Sequence, residues 1–206
     1  MKVAGAIIAG GPAKRLGGVA KPLLTVGGRT IAARQLDLLG AAGLARVFVI
    51  ANDPAPWGGL GVPVDMRPDL VGGAGPLGGI HAALTAADDC DAVVCIAGDL
   101  PFVTPALLAA LRDRAPQADA VAPRSARGIE PLCARYARAL LPAIDERVRA
   151  GDLAVHALLE RRAVEWIAGP DLAALDPDGR SFFNVNTPED LARADAMAAH
   201  EAGPRP

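Results

Sequence analysis

The residues able to do chemistry gather in four short segments. The densest is Ile8-Ala9-Gly10-Gly11-Pro12-Ala13-Lys14-Arg15-Leu16-Gly17-Gly18-Val19-Ala20-Lys21-Pro22. Its glycines let the backbone approach a ligand and turn N–H groups toward anionic oxygens. Arg15, a planar fork, and Lys21, a point charge, suit a triphosphate. No Gly-Lys-[Ser/Thr] occurs, so this is not a Walker-type loop. The second segment, Gly73-Ala74-Gly75-Pro76-Leu77-Gly78, matches the dinucleotide-binding string but does not directly follow a strand. It reads either as a helix N-terminus whose free N–H groups meet a substrate or as an ordinary Gly-Pro helix start. In the third, Gly98-Asp99-Leu100-Pro101, a carboxylate just past a strand end is placed to hold Mg²⁺ over phosphates, although a turn aspartate looks the same. In the fourth, Asn184 and Asn186 flank Val185, so an extended strand points both amides to one face. They either read a ligand's polar edge or tie down the chain; Asn52, ending an earlier strand, has the same two readings.

Residue usage adds weight to these positions. The only lysines are Lys2, Lys14 and Lys21, and the only asparagines are Asn52, Asn184 and Asn186. Arginine replaces lysine elsewhere, as GC-rich coding favours, so the retained lysines and asparagines mark positions where a substitute does not serve. His81, His156 and His200 form no triad or metal pattern; His81, near Gly78-Gly79, reads as structural. Trp57 and Trp166 read as packing residues, and Ser125 and Ser181 lack a nucleophile-elbow context. Cys90, Cys95 and Cys133 sit in apolar runs, without zinc-ligand spacing, and are expected to be buried free thiols.

The elements that must position these residues alternate. Val3–Ala9, Arg46–Ala51, Val62–Asp65, Asp91–Ala97, Ala118–Ala122, Pro131–Tyr136 and Ser181–Val185 read as strands. Helices are expected from the Thr30 cap through Ala42 with Gly43 as terminator, from Gly75 to about Ala87, and from the Thr104-Pro105 cap through Arg114. Further helices are expected over Leu140–Ala150 and Ala154–Arg162, with a last one opened by the capping box Thr187-Pro188-Glu189-Asp190. Alternation of this kind predicts an α/β fold: one domain, 1–201, with an open, mostly parallel sheet and helices on both faces. The tail 202–206 is expected to fray.

Composition limits the function classes. With 51% hydrophobic residues and mean hydropathy +0.27, the chain has enough apolar matter to fold. No apolar run is long enough for a membrane span or a signal-peptide core, so a cytoplasmic location is expected. A net charge of -2 and 3% aromatics argue against a nucleic-acid polymer as partner.

Taken in order, Ile8-Ala9-Gly10-Gly11…Arg15…Gly17-Gly18…Lys21, Gly75-Pro76-Leu77-Gly78-Gly79, Asp99-Leu100-Pro101 and Asn184-Val185-Asn186-Thr187-Pro188-Glu189-Asp190 resemble the molybdenum cofactor guanylyltransferase family. The first motif marks the wider nucleotidyltransferase superfamily, with its Rossmann-like fold, and the later ones narrow it. The resemblance implies transfer of GMP from GTP to the terminal phosphate of molybdopterin, with Mg²⁺ and release of pyrophosphate. It also implies transient contact with cofactor-biosynthesis and molybdoenzyme-maturation proteins. Carried over by position, Ile8, Ala9 and Gly10 contact GTP, Lys21 its phosphates, and Asn52 and Asp69 the guanosine; Gly11 is a further nucleotide-binding candidate, and Arg15 joins Lys21 and Asp99 as a catalytic candidate. Asp99 holds the metal, and Gly79, Asn184 and Asn186 face the pterin. Two positions depart: Ala20 stands where the family commonly has Asp, and Leu153-Ala154 where some members carry a basic residue. Alternatives are cytidylyl transfer, a sugar 1-phosphate acceptor, suggested by Lys21-Pro22, and a non-catalytic GTP-binding assembly partner, suggested by Ala20.

Overall fold

All six residues of the first strand, Val3–Ile8, are buried. That requires a central strand covered on both faces, which accounts for its unbroken apolar run. The computed structural model describes residues 1–9, 19–60 and 64–201. In chain order its elements are β1 (Val3–Ile8), the hairpin β2 (Thr25–Val26) and β3 (Arg29–Thr30), α1 (Ile31–Ala41), β4 (Val47–Ile50), β5 (Met66–Arg67) and α2 (Gly75–Ala86). There follow β6 (Ala92–Ala97), α3 (Pro105–Asp113), β7 (Ala120–Ser125), β8 (Gly128–Ile129), β9 (Cys133–Ala137), α4 (Leu141–Arg149), α5 (Val155–Leu159), β10 (Val164–Ala168), α6 (Gly169–Leu175) and α7 (Pro188–Glu201).

The main sheet has the order β10-β7-β9-β6-β1-β4-β5, with β8 paired to β7. Only β9 and β8 run against their neighbours. The carboxyl ends of β1, β4, β5, β6, β7 and β10 therefore share one edge, where open α/β sheets place ligands. One face packs Ala6, Ile8 and Ile50 under α2, α4 and α5, through Leu77, Ile80, Ile144 and Leu158. The other packs Ile7, Val49 and Ile96 under α1 and α3, through Leu39, Leu107 and Leu111. A smaller cluster joins Val26 and Ile31 to Val185, Ala194 and Ala198, docking α7 onto the hairpin.

The expected helix starts form as capped ends. Thr30 Oγ1 accepts from Ala33 N at 3.1 Å, and Thr104 Oγ1 from Leu107 N at 3.1 Å. At α7 the box is reciprocal: Thr187 Oγ1 accepts from Asp190 N, while the Asp190 carboxylate accepts from Thr187 N at 3.0 Å. Cys90, Cys95 and Cys133 are buried and unbridged, and burial pushes the Cys95 and Cys133 thiols up. Among the described residues, no helix is long and apolar enough to cross a membrane.

Two strand expectations are corrected. The third parallel strand is Met66–Arg67 rather than Val62–Asp65, with 61–63 outside the described residues. Its ladder to Val49 and Ile50 uses backbone groups at the sheet edge, where a partly buried Met66 and an exposed Arg67 leave no apolar run to read. Ser181–Val185 is not a strand. Phe183 N closes a turn onto Arg180 O at 2.9 Å and Val185 N bonds Asp99 O at 3.0 Å, so these donors serve a turn and a loop rather than a ladder. Ser181, Phe182 and Val185 are buried while Phe183 and Asn184 between them are only partly so, a pattern without the strict alternation of a half-buried strand. The helix expected over Ala154–Arg162 is the shorter α5, and the strand β10 and helix α6 follow it. Gly10–Gly18 and the tail 202–206 lie outside the described residues.

Candidate active site

Three distant stretches of chain meet beyond the carboxyl ends of β1 and β6. Lys21 opens a short 3₁₀ turn, Lys21–Leu23, whose Pro22 is buried. Its ammonium lies 3.5 Å from Asp99 Oδ2 and donates to Asn186 Oδ1. The backbone closes the same triangle, since Val185 N donates to Asp99 O and Asn186 N to Asp190 Oδ2 at 3.1 Å. Burial pushes the Asp99 carboxyl above its ordinary range, partly offset by the neighbouring Lys21 charge. Asp190 shifts the other way, held down by the backbone N–H groups of Asn186 and Thr187.

A second cluster lies on the other side of Ile8. Asn52, just past β4, accepts from Asp69 N at 2.8 Å, and Asp69 Oδ1 accepts from Val71 N at 3.2 Å. This loop rests on the start of α2: a Cβ on Gly78 would lie 3.4 Å from Val71 O and 3.5 Å from Asp69 Oδ1. Gly79 is buried against β1, where a Cβ would come within 2.4 Å of Ile8 Cγ2. The residue type at 79 thus allows the N-terminal turn of α2 to reach the sheet edge. Ala74 supplies no side-chain cap, and the first-turn N–H groups carry the helix's partial positive charge.

The structure therefore brings together Lys21, Asp99 and Asn186, and separately Asn52, Asp69 and the α2 start, with Ile8 and Ala9 between. Gly10, Gly11 and Arg15 lie outside the described residues. Asn184 is half-buried beside the first cluster. His81 is structural: buried on α2, its Nε2 stands 3.3 Å from Asp145 Oδ1 on α4. Trp57 is a core residue, and Trp166 lies under the Arg124 guanidinium at 4.4 Å. Gln35 belongs to no motif, yet its amide donates to Ala97 O at 2.7 Å and Leu100 O at 2.9 Å, either side of Asp99. Its sequence signal is a polar residue in the buried stripe Ile31–Gln35–Leu39.

A lone carboxylate beside a lysine, next to helix N–H groups at a parallel sheet's carboxyl edge, suits polyphosphate binding better than acyl or redox chemistry. Among the described residues, no group of three or more His, Cys, Asp or Glu could hold a metal ion. Asp99 alone therefore fits a hard cation that shares its ligands with a nucleotide's phosphates and water, not a protein-only cage.

Residues 5–166 match the MobA-like NTP transferase domain. The chain is 36% identical to the probable molybdenum cofactor guanylyltransferase of Pelotomaculum thermopropionicum, over 96% of this chain and 94% of that protein. It is 35% identical to the molybdenum cofactor guanylyltransferase of Cereibacter sphaeroides, over 98% and 100% of the two chains. The molybdopterin-guanine dinucleotide biosynthesis protein A of Archaeoglobus fulgidus superposes with a TM-score of 0.78 at 27% identity, covering 96% of this chain and 99% of that one. Nucleotidyltransferases of this kind are typically metal-dependent. A parallel-edge site built on Lys21 and Asp99, and relatives matched over nearly their whole length, lead to one conclusion: the chain belongs to the molybdenum cofactor guanylyltransferase family of nucleotidyltransferases.

Proposed function

We propose that this protein transfers GMP from GTP to the terminal phosphate of molybdopterin, through a site formed by its 1–201 unit and acting in the cytoplasm. The observation that carries this reading is the convergence of Lys21, Asp99 and Asn186, which are separated by as many as 165 positions in the chain. A phosphate monoester is largely dianionic near neutral pH, so it needs no protein nucleophile. One of its oxygens attacks the α-phosphorus of GTP, a new P–O–P bond forms, and the α–β bond breaks to release pyrophosphate. The protein's task is then alignment and charge stabilisation.

In this reading Lys21 offers its ammonium to the phosphates, joined by Arg15 from the glycine-rich segment, while Ile8, Ala9, Gly10 and Gly11 line their approach. Asn52 and Asp69, braced against α2, take the guanosine side. Gly79 lets α2 come close, and Asn184 and Asn186 face the acceptor. Asp99 would hold Mg²⁺, which neutralises phosphate charge when bound. Lys21 bridges the two halves by touching Asp99 and Asn186 at once.

The test is pyrophosphate release with molybdopterin present, comparing GTP, CTP and ATP in Mg²⁺. Turnover selective for GTP and dependent on molybdopterin is expected. CTP preference would move the protein to cytidylyl transfer. Release without molybdopterin, or silence despite GTP binding, would overturn the assignment in favour of another acceptor or a binding role.

A further inference from the structure

The geometry assigns Gln35 as the positioning residue for Asp99, an inference that rests on the reading of Asp99 as the metal-holding carboxylate. Asp99 sits in a four-residue turn, Ala97–Leu100, closed by Leu100 N donating to Ala97 O at 3.2 Å. Gly98 N ties the turn to the end of β1, donating to Ile8 O at 3.0 Å, and Val185 N donates to Asp99 O. The two terminal carbonyls, Ala97 O and Leu100 O, both accept from the single Nε2 of Gln35. Apart from the Lys21 ammonium on the Asp99 carboxylate itself, these hydrogen bonds holding the turn's backbone are main chain to main chain and insensitive to side-chain identity, with one exception. Gln35 is the exception.

Two features separate this contact from incidental packing. Both partners are carbonyl oxygens, so only the amide nitrogen can face them; a flipped amide would set oxygen against oxygen. Moreover, Gln35 is 1% exposed, and its Oε1 is buried with no hydrogen-bond partner among the described residues. An unsatisfied buried acceptor costs stability, and an apolar residue between Ile31 and Leu39 would avoid that cost. What the amide provides in return is a fixed spacing across the turn that carries Asp99. Small displacements of a charge-bearing group are costly in phosphoryl transfer, where alignment does most of the work.

The test uses the full chain and Mn²⁺ as probe, with GTP present and no acceptor, so that no turnover is read. Free Mn²⁺ is followed by electron paramagnetic resonance, and amide hydrogen exchange is followed at Leu100 and Val185. Gln35→Met keeps length and apolar volume but has no donor. The expected result is Mn²⁺ half-saturation raised on the order of tenfold, the effect of losing two hydrogen bonds. Metal-free GTP affinity stays within about twofold, since it does not depend on the Asp99 carboxylate. Exchange at Leu100 accelerates more than at core amides of β1. Asp99→Ala weakens Mn²⁺ binding at least as much, and adding Gln35→Met to it costs nothing further. Unchanged Mn²⁺ binding in Gln35→Met, with Asp99→Ala impaired, overturns the role of Gln35 alone, as does an additive loss in the double variant. Unchanged binding in Asp99→Ala overturns the reading of Asp99 itself, and this inference with it. Should Gln35→Met fail to fold, Gln35→Asn keeps the amide on a shorter arm that cannot span both carbonyls, and it is read the same way.

Discussion

Pro22 lies directly against the backbone of Gly98: a Cβ at position 98 would sit 2.7 Å from Pro22 Cγ and 3.4 Å from Ile8 O. Lys21 and Asp99 are the chain neighbours of this contact, so their 3.5 Å separation follows from it. The proline ring is stiff, and no side-chain rotation can relieve the clash. Gly98→Ala is therefore expected to destabilise the protein by about 1–3 kcal/mol, the usual cost of overpacking. It should also lower kcat, because the Lys21 turn must move away from Asp99. Urea unfolding and steady-state turnover on the same preparation check both effects.

Lys21→Met removes the cation that touches both Asp99 and Asn186. Turnover is expected to fall by roughly 10²- to 10³-fold, the scale of losing one preorganised charge-stabilising group. With the opposing charge gone, the Asp99 carboxyl should move further above its ordinary range, since only a backbone hydrogen bond then opposes the effect of burial. Single-turnover rates and an NMR titration of the Asp99 side chain read the two consequences separately.

Asn52 does not touch Lys21 or Asp99; its amide oxygen holds the Asp69 backbone N–H. Asn52→Ala is expected to raise KM for GTP about tenfold, the loss of roughly one to two hydrogen bonds' worth of loop order and contact, with kcat little changed. An equal fall in kcat would place the residue at the reacting centre instead.

The capping box of α7 supports Asn186 through Asp190, which accepts from both Asn186 N and Thr187 N. Because the folded state holds the Asp190 carboxyl below its ordinary range, its contribution to stability is present above that range and is lost as pH falls through the lowered value. Asp190→Asn should therefore lower the melting temperature at neutral pH, with the gap to the parent protein closing in acid. Thr187→Ala should cost about 1 kcal/mol with a weaker pH dependence, because the Thr187 side chain holds the Asp190 carboxyl down less than the Asn186 and Thr187 backbone N–H groups do. Thermal unfolding of the three proteins from neutral to acidic pH separates the cases.

Much of this architecture is legible in the chain itself because its signals are local. The unbroken apolar run of Val3–Ile8, the Thr30, Thr104 and Thr187 caps, and Gly75-Pro76 all act within a few residues, and each formed an element near its expected bounds. Lysine and asparagine usage marked Lys21 and Asn186, which proved to be hydrogen-bond partners. Edge strands were less legible: Met66–Arg67 is two residues long, pairs through its backbone and rests only Met66 against the core, too short a side-chain pattern to read. The same limit explains Ser181–Val185, whose donors bond a turn and Asp99 rather than a ladder. Tertiary structure alone decided that Pro22 rests on Gly98, that Gly79 must lack a Cβ beneath Ile8, and that Gln35 spans the Asp99 turn. These contacts join residues 62 to 76 positions apart, and such a distance is set only when both faces of the sheet have packed. Residue types named the chemistry available; the close approach of helices to one sheet edge determined which residues share it.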